Sequence, residues 1–135
     1  MIGILLLTHE NFGAAMLKSA ELIMGRQEQC LAIGLNRGDD MGSFCEKVKE
    51  AIQCLDNGKG VLVFADLFGA SPYNATAITS TAVENHFRCV TGFGLPMVLE
   101  ALNMRGSCQL DELAIRCMEA GWSGVKELFE EIKKT

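Results

Sequence analysis

The 135-residue sequence has no long apolar run and no dense cluster of basic residues. A membrane-spanning helix needs about 20 consecutive apolar residues, so none is predicted. Lys and Arg number 12 against 17 Asp and Glu, giving a net charge of -5, and nucleic-acid binding is not expected because it requires a basic face. The amino terminus lacks the basic region of a signal peptide, so we expect a cytoplasmic protein.

Cysteine and histidine are too scattered to predict a metal site. None of the six cysteines forms a Cys-x-x-Cys pair, and His9 and His86 are the only histidines. Buried free thiols are therefore the simplest interpretation, and we expect neither a metal nor an organic cofactor. Gly92-Phe93-Gly94 lacks the third glycine of a dinucleotide-binding fingerprint, so a nucleotide site is not predicted.

The sequence does contain apolar runs that alternate with amphipathic segments. The runs predict four strands, at Ile2–Leu7, Cys30–Leu35, Gly60–Asp66 and Phe87–Thr91. The other segments predict helices at Gly13–Met24, Ser43–Leu55, from Ser71 onward, Met97–Met104 and Asp111–Ala120, followed by a charged helical tail within Trp122–Thr135. This order predicts one domain, residues 1–135, of the α/β class. We expect a doubly wound, mainly parallel sheet with helices on both faces, to which the tail could add an edge strand.

His9 is the most informative residue, because it follows the first predicted strand and precedes a helix. The carboxyl ends of parallel strands share one edge of the sheet, where ligands bind in open α/β folds. Asp66 ends the third predicted strand, and Ser71-Pro72 opens the next helix. We therefore expect His9, Asp66 and Ser71 to lie close together at this edge. Helix N-termini at this edge favour an anion such as phosphate.

A carboxylate at Asp66 could accept a hydrogen bond from one ring nitrogen of His9 and leave the other nitrogen facing solvent. Such an imidazole can act as a nucleophile toward phosphorus, a general base or a metal ligand. We predict His9 and Asp66 as catalytic residues and Ser71 and Thr8 as phosphate-binding residues, with Ser71 also the helix N-cap. The residues alone leave purely structural roles open for each, and His86, in the polar stretch Glu84-Asn85-His86, is interpreted as a surface residue.

Three blocks of the sequence resemble the IIA proteins of the mannose family of the phosphoenolpyruvate-dependent sugar phosphotransferase system. They are Thr8-His9, Asp66-Leu67-Phe68-Gly69-Ala70-Ser71-Pro72-Tyr73-Asn74 and Gly92-Phe93-Gly94-Leu95-Pro96-Met97. The resemblance implies a phosphohistidine carrier, in which His9 accepts a phosphoryl group from HPr and passes it to a IIB component. A membrane IIC/IID complex would then import the sugar. It also implies that Asp66 holds the ring, that Ser71 lies near the phosphoryl group and that a homodimer exchanges its C-terminal segment.

Three positions depart from the residues common in that family. Glu10 replaces a glycine, Leu67 a threonine and Ala70 a glycine. Two alternatives share the chemistry or the fold: the phosphotransfer subunit of a dihydroxyacetone kinase system, and a non-catalytic regulatory domain. A hydrolase that uses His9 as a base is a weaker alternative, because no second nucleophile or metal set accompanies it.

Overall fold

The centre of the protein is a four-stranded parallel sheet in a computed structural model that describes residues 1–80 and 86–135. The strand order is β2-β1-β3-β4, and each neighbouring pair is parallel. The strands are β1 (Gly3–His9), β2 (Cys30–Leu35), β3 (Val61–Ala65) and β4 (Phe87–Thr91). β3 is buried along its whole length and β1 along all but its last residue, which explains why both sequences are almost continuously apolar.

Helices cover both faces of the sheet, which confirms the predicted doubly wound architecture. They are α1 (Phe12–Met24), α2 (Met41–Leu55), α3 (Ser71–Thr79), α4 (Leu95–Met104), α5 (Leu110–Ser123) and α6 (Leu128–Lys133). Helices α1, α4 and α5 pack on one face, in a core that includes Leu6, Phe64 and Leu113. Helices α2 and α3 cover the other face, where Val48 and Ala75 pack against the sheet.

Several predicted boundaries are wrong by a few residues, and two of these affect the site. β1 continues through His9, since Thr8 and His9 still pair with β2 although they are not apolar. β3 ends at Ala65, so Asp66 is the first residue after the strand. The prediction that Ser71 is the N-cap of α3 is also wrong. Ala70, with an extended ψ of 175°, occupies that position and Ser71 is the first helical residue.

Two predictions about burial need correction. The helical spacing of Phe12, Met16, Ala20 and Ile23 predicts one inward stripe of α1, but Phe12 and Ile23 are exposed. The buried positions of this helix are the small residues Gly13 and Ala20. The cysteines were interpreted as buried thiols. All six are free, but Cys117 is the one that is fully buried and Cys54 is exposed.

The C-terminal tail is helical, as predicted, and it does not add a strand. Its helix α6 carries no buried residue, and within the described chain the sheet has four strands. The tail region exposes a series of large apolar side chains: Trp122, Val125, Leu128, Phe129 and Ile132. Among the described residues, no helix has the length and apolarity needed to cross a membrane.

Candidate functional site

The topology of the sheet places the candidate site between β1 and β3. From β1 the chain passes through α1 to β2 on one side, whereas β3 leads through α3 to β4 on the other side. Connections that diverge in this way open a crevice at the carboxyl ends of the two strands. Leu7 pairs with Ala65, so the residues that follow this pair lie at the carboxyl edge of the sheet, where the crevice opens. This register brings His9 and Asp66 together across 57 positions of sequence.

The imidazole of His9 is held by the carboxylate of Asp66. His9 Nδ1 lies 2.8 Å from Asp66 Oδ2, and the backbone N–H of His9 donates to the same oxygen at 2.9 Å. A carboxylate only accepts hydrogen bonds, so in the neutral ring Nδ1 carries the proton and the lone pair is on Nε2. The His9 side chain is 50% exposed and that of Asp66 12% exposed, so the carboxylate is largely shielded from solvent while the ring is accessible.

The loop after Asp66 leads directly into the N-terminus of α3. Gly69 adopts a φ of +81°, which favours glycine, and its carbonyl accepts a hydrogen bond from the side chain of Asn74 at 3.1 Å. Ser71 is partly buried at the first helical position. In the described structure, the side chain of the N-cap residue accepts no hydrogen bond from a helix N–H group in either α1 or α3. The first-turn N–H groups of α3 are thus suited to an anion near Ser71.

Thr8, which the sequence predicts to bind phosphate, carries its hydroxyl group inside the molecule. Its side chain is fully buried on the side of the sheet covered by α1, and its Oγ1 accepts a hydrogen bond from the backbone N–H of Gly13 at 2.9 Å. The same hydroxyl donates to the carbonyl of Glu10 at 3.3 Å. The structure therefore gives no support to a direct phosphate contact by Thr8.

Sequence reasoning missed a second histidine–aspartate pair at the opposite edge of the sheet. His86 Nδ1 lies 2.8 Å from Asp56 Oδ2, and the His86 side chain is 49% exposed, as expected for a surface residue. Glu84 and Asn85, the rest of that predicted stretch, lie outside the described residues. Burial pushes the pKa of Asp56 upward, but hydrogen bonds from Gly58 and Gly60 and the contact with His86 outweigh it and hold that pKa below its usual value. Asp56 therefore stabilises a turn as well as an imidazole.

Large apolar side chains are exposed a few residues after His9 and directly after Asp66. They are Phe12 at the start of α1 and Leu67 and Phe68 directly after Asp66. The Phe68 ring packs against Tyr73, with 4.9 Å between the ring centroids. Exposed apolar groups beside an accessible histidine are typical of a surface that binds another protein. No group of three potential metal-ligating side chains occurs in the part of the chain that the structure describes.

The chain is thus a parallel α/β domain with an aspartate-held, accessible histidine at the switch point of its sheet. The family described as "PTS system fructose IIA component" matches residues 3–118 of this chain. The chain belongs to this family, which confirms the resemblance found in the sequence.

Individual relatives agree with this assignment. The chain is 34% identical over 128 residues to the "PTS system mannose-specific EIIAB component" of Escherichia coli K12, covering 94% of the chain but 39% of that protein. It is 29% identical over 113 residues to the "PTS system fructose-specific EIIA component" of Bacillus subtilis, covering 84% of the chain and 77% of that protein. The crystal structure of phosphotransferase system component EIIA from Streptococcus agalactiae superposes with a TM-score of 0.88 at 26% identity, over 96% of this chain and 99% of that one.

Proposed function

We propose that this protein is a phosphohistidine carrier that relays a phosphoryl group from HPr to a IIB component during sugar uptake. The observation that carries the proposal is the geometry of His9. Its Nδ1 is bound to Asp66 and its ring is half exposed at the edge of the sheet, so that Nε2 is available to a protein partner. Membership of the IIA family supports the same conclusion.

The chemistry requires little beyond positioning and charge stabilisation. The lone pair of His9 Nε2 attacks the phosphorus of the phosphohistidine on HPr, a new N–P bond forms, and the N–P bond to the donor imidazole breaks. The His9 ring becomes positively charged as the bond forms, and the carboxylate of Asp66 stabilises that charge through Nδ1–H. A second step of the same kind delivers the group to IIB. A histidine or another nucleophile on IIB attacks the phosphorus, and the N–P bond to His9 breaks.

Phosphate contacts in this proposal come from the start of α3. Ser71 and the first-turn N–H groups of that helix would hold the phosphoryl oxygens, and each well-placed donor of this kind is typically worth about 3 kcal/mol. Thr8 was predicted as a second phosphate-binding residue, but its buried hydroxyl is already used in two hydrogen bonds. We therefore retain Ser71 and assign Thr8 a different role below.

The proposed partners act one after the other at the same face. HPr would donate, a IIB component would accept, and the IIC/IID complex would be reached through IIB at the cytoplasmic side of the membrane. The exposed apolar residues Phe12, Leu67 and Phe68 flank this face and would contact both partners. We also propose that the chain is a homodimer, as its resemblance to the mannose-family IIA proteins implies.

The proposal is tested by labelling the protein with radioactive phosphoenolpyruvate, Enzyme I and HPr. We expect one acid-labile phosphoryl group per chain and its loss in a His9→Ala variant. His86→Ala is the matched control, because His86 has the same contact with an aspartate and nearly the same exposure. It should be labelled like the original protein.

Labelling that persists in His9→Ala, or that disappears in His86→Ala, would contradict the assignment of the site. A second arm adds purified IIB to the labelled protein. Transfer of the label to IIB supports a carrier, whereas retention of the label would favour a regulatory domain that is phosphorylated without relaying the group.

A further inference from the structure

The hydroxyl group of Thr8 serves the N-terminus of α1 from outside the helix. The N-cap residue of α1 is Asn11, and its side chain makes no capping hydrogen bond in the described structure. The N–H of Gly13, at the second helical position, instead donates to Thr8 Oγ1 at 2.9 Å. An N-terminal N–H group is usually satisfied by the N-cap side chain, so here a strand residue takes over that function.

The same hydroxyl group fixes the turn between β1 and α1. Glu10 adopts a φ of +52°, which is uncommon for a residue with a side chain, and its N–H donates to the carbonyl of Leu35 at 2.9 Å. Its carbonyl accepts from Thr8 Oγ1 and lies so close to Gly34 that a Cβ added there would be 1.9 Å from the oxygen. The turn is thus fixed by the Thr8 hydroxyl, which binds the Glu10 carbonyl, and by β2, which contacts Glu10 through Gly34 and Leu35.

His9 lies between these two anchored residues. Thr8 precedes it, Glu10 follows it, and Asp66 binds both its backbone N–H and its ring. A small displacement of the turn would move the His9 backbone relative to the fixed carboxylate. A hydroxyl group has one donor, and that of Thr8 is used for Glu10 while a lone pair accepts from Gly13. The full burial of this side chain leaves it without access to a phosphoryl group.

We propose that Thr8 is a positioning residue, whose hydroxyl group ties the N-terminus of α1 to the Glu10 turn and thereby holds His9 in register with Asp66. It acts through His9 and does not touch the phosphoryl group. The link to phosphoryl transfer depends on the function proposed above. The positioning itself does not, because it exists in the unphosphorylated protein.

Three variants of Thr8 separate the hydroxyl group from the rest of the side chain. Thr8→Val replaces the hydroxyl with a methyl of similar size, and Thr8→Ala removes it without placing a new carbon against Gly13. Thr8→Ser keeps the hydroxyl. Thr76→Val is the matched control, because Thr76 is also buried and its hydroxyl also donates to a backbone carbonyl, that of Pro72 at 3.1 Å.

The first measurement is ¹⁵N NMR of the His9 ring in the unphosphorylated protein. We expect Thr8→Val and Thr8→Ala to change the Nδ1 and Nε2 shifts as the contact with Asp66 loosens. Thr8→Ser and Thr76→Val should retain the original spectrum. The second measurement is the rate of phosphoryl transfer from phosphorylated HPr, which should fall about tenfold in Val and Ala and recover in Ser, a barrier change of about 1.4 kcal/mol.

Two results would overturn the inference. Unchanged ring shifts with slower transfer in both Val and Ala would indicate that Thr8 contacts the phosphoryl group, as first predicted. Original ring shifts in Thr8→Val together with changed shifts in Thr8→Ser would show that packing of the methyl matters and the hydroxyl does not. If the original protein accepts no phosphoryl group at all, the proposed function fails, while the NMR comparison still decides the role of Thr8.

Discussion

His9 and His86 make the same contact with a carboxylate, yet the two aspartates have different surroundings. Asp56 uses Oδ1 to accept from the N–H groups of Gly58 and Gly60, at 2.9 and 3.0 Å. Asp66 uses Oδ2 for the backbone and ring of His9, and its buried Oδ1 has no hydrogen-bond partner among the described residues. Asp56 therefore has a backbone turn to stabilise, whereas the described hydrogen bonds of the Asp66 carboxylate go entirely to His9.

Replacing Asp66 with asparagine should slow phosphoryl transfer while leaving the fold intact. The amide oxygen can still accept from the His9 backbone, but it no longer supplies the negative charge that stabilises the developing imidazolium. We expect the transfer rate from phosphorylated HPr to fall on the order of 10- to 100-fold. Rapid-quench measurement of labelled protein gives this rate.

Asp56→Asn is the matched control for that experiment. It removes the same charge from the same contact distance at the opposite edge of the sheet, and it should leave the transfer rate unchanged. A normal rate in Asp66→Asn, or an equal loss in Asp56→Asn, would show that the charge beside His9 has no specific role.

The end of β2 and the turn after β1 form one unit. Gly34 pairs with Thr8, and its lack of a side chain lets the Glu10 carbonyl pass close to the strand. Here the requirement for glycine is close approach and not an unusual φ, because the positive-φ glycines lie elsewhere. The position of the His9 turn thus depends on a residue in a neighbouring strand.

A Gly34→Ala variant should disturb both stability and function. The new Cβ would overlap the Glu10 carbonyl, and relieving the overlap must move β2 or the turn, at a cost of about 1–3 kcal/mol in the free energy of unfolding. Urea denaturation measures this loss, and phosphoryl transfer should decline in the same variant. Gly106→Ala is the control, since an added Cβ there meets no atom within 4 Å. Equal stability of the two variants would argue against the close contact.

The C-terminal region of the molecule exposes several large apolar side chains. Trp122, Val125, Leu128 and Phe129 are each more than half exposed. Contiguous exposed apolar side chains mark surfaces that associate. This arrangement is compatible with the proposed homodimer, in which the tail of one chain would contact its partner.

Sedimentation equilibrium should therefore give a mass about twice the 14.7 kDa of one chain. Phe129→Asp should shift the protein to the monomer without unfolding it, because this side chain is 66% exposed in the single chain. Leu22→Asp is the control, since Leu22 on α1 is 88% exposed but remote in sequence from the tail. A monomeric original protein, or dissociation by Leu22→Asp, would contradict an interface formed by the tail.

Arg105 illustrates a contact network that no local pattern predicts. This buried residue at the C-cap of α4 donates to backbone carbonyls of Ile2, Glu28 and Gln29. It thereby joins three chain segments at the edge of the sheet opposite His9. In the sequence it follows an ordinary amphipathic helix and carries no motif, so its role emerges only when distant segments meet.

The sequence by itself determined the α/β class, the order of strands and helices, and the convergence of His9 with Asp66. These follow from apolar periodicity and from the rule that parallel strands end at a common edge. The helix start at Ser71-Pro72 then indicated Ser71, although its predicted position as the N-cap was wrong because local propensity does not distinguish adjacent residues at a helix start.

Tertiary structure decided what each side chain does once the elements are packed. Thr8, in β1, caps the start of α1. His86 contacts Asp56 across 30 positions of sequence, and the close approach of Gly34 to Glu10 fixes the turn after β1. The physical reason is that periodicity reports which face of an element is buried, whereas hydrogen-bond partners depend on the register and separation of elements distant in the chain.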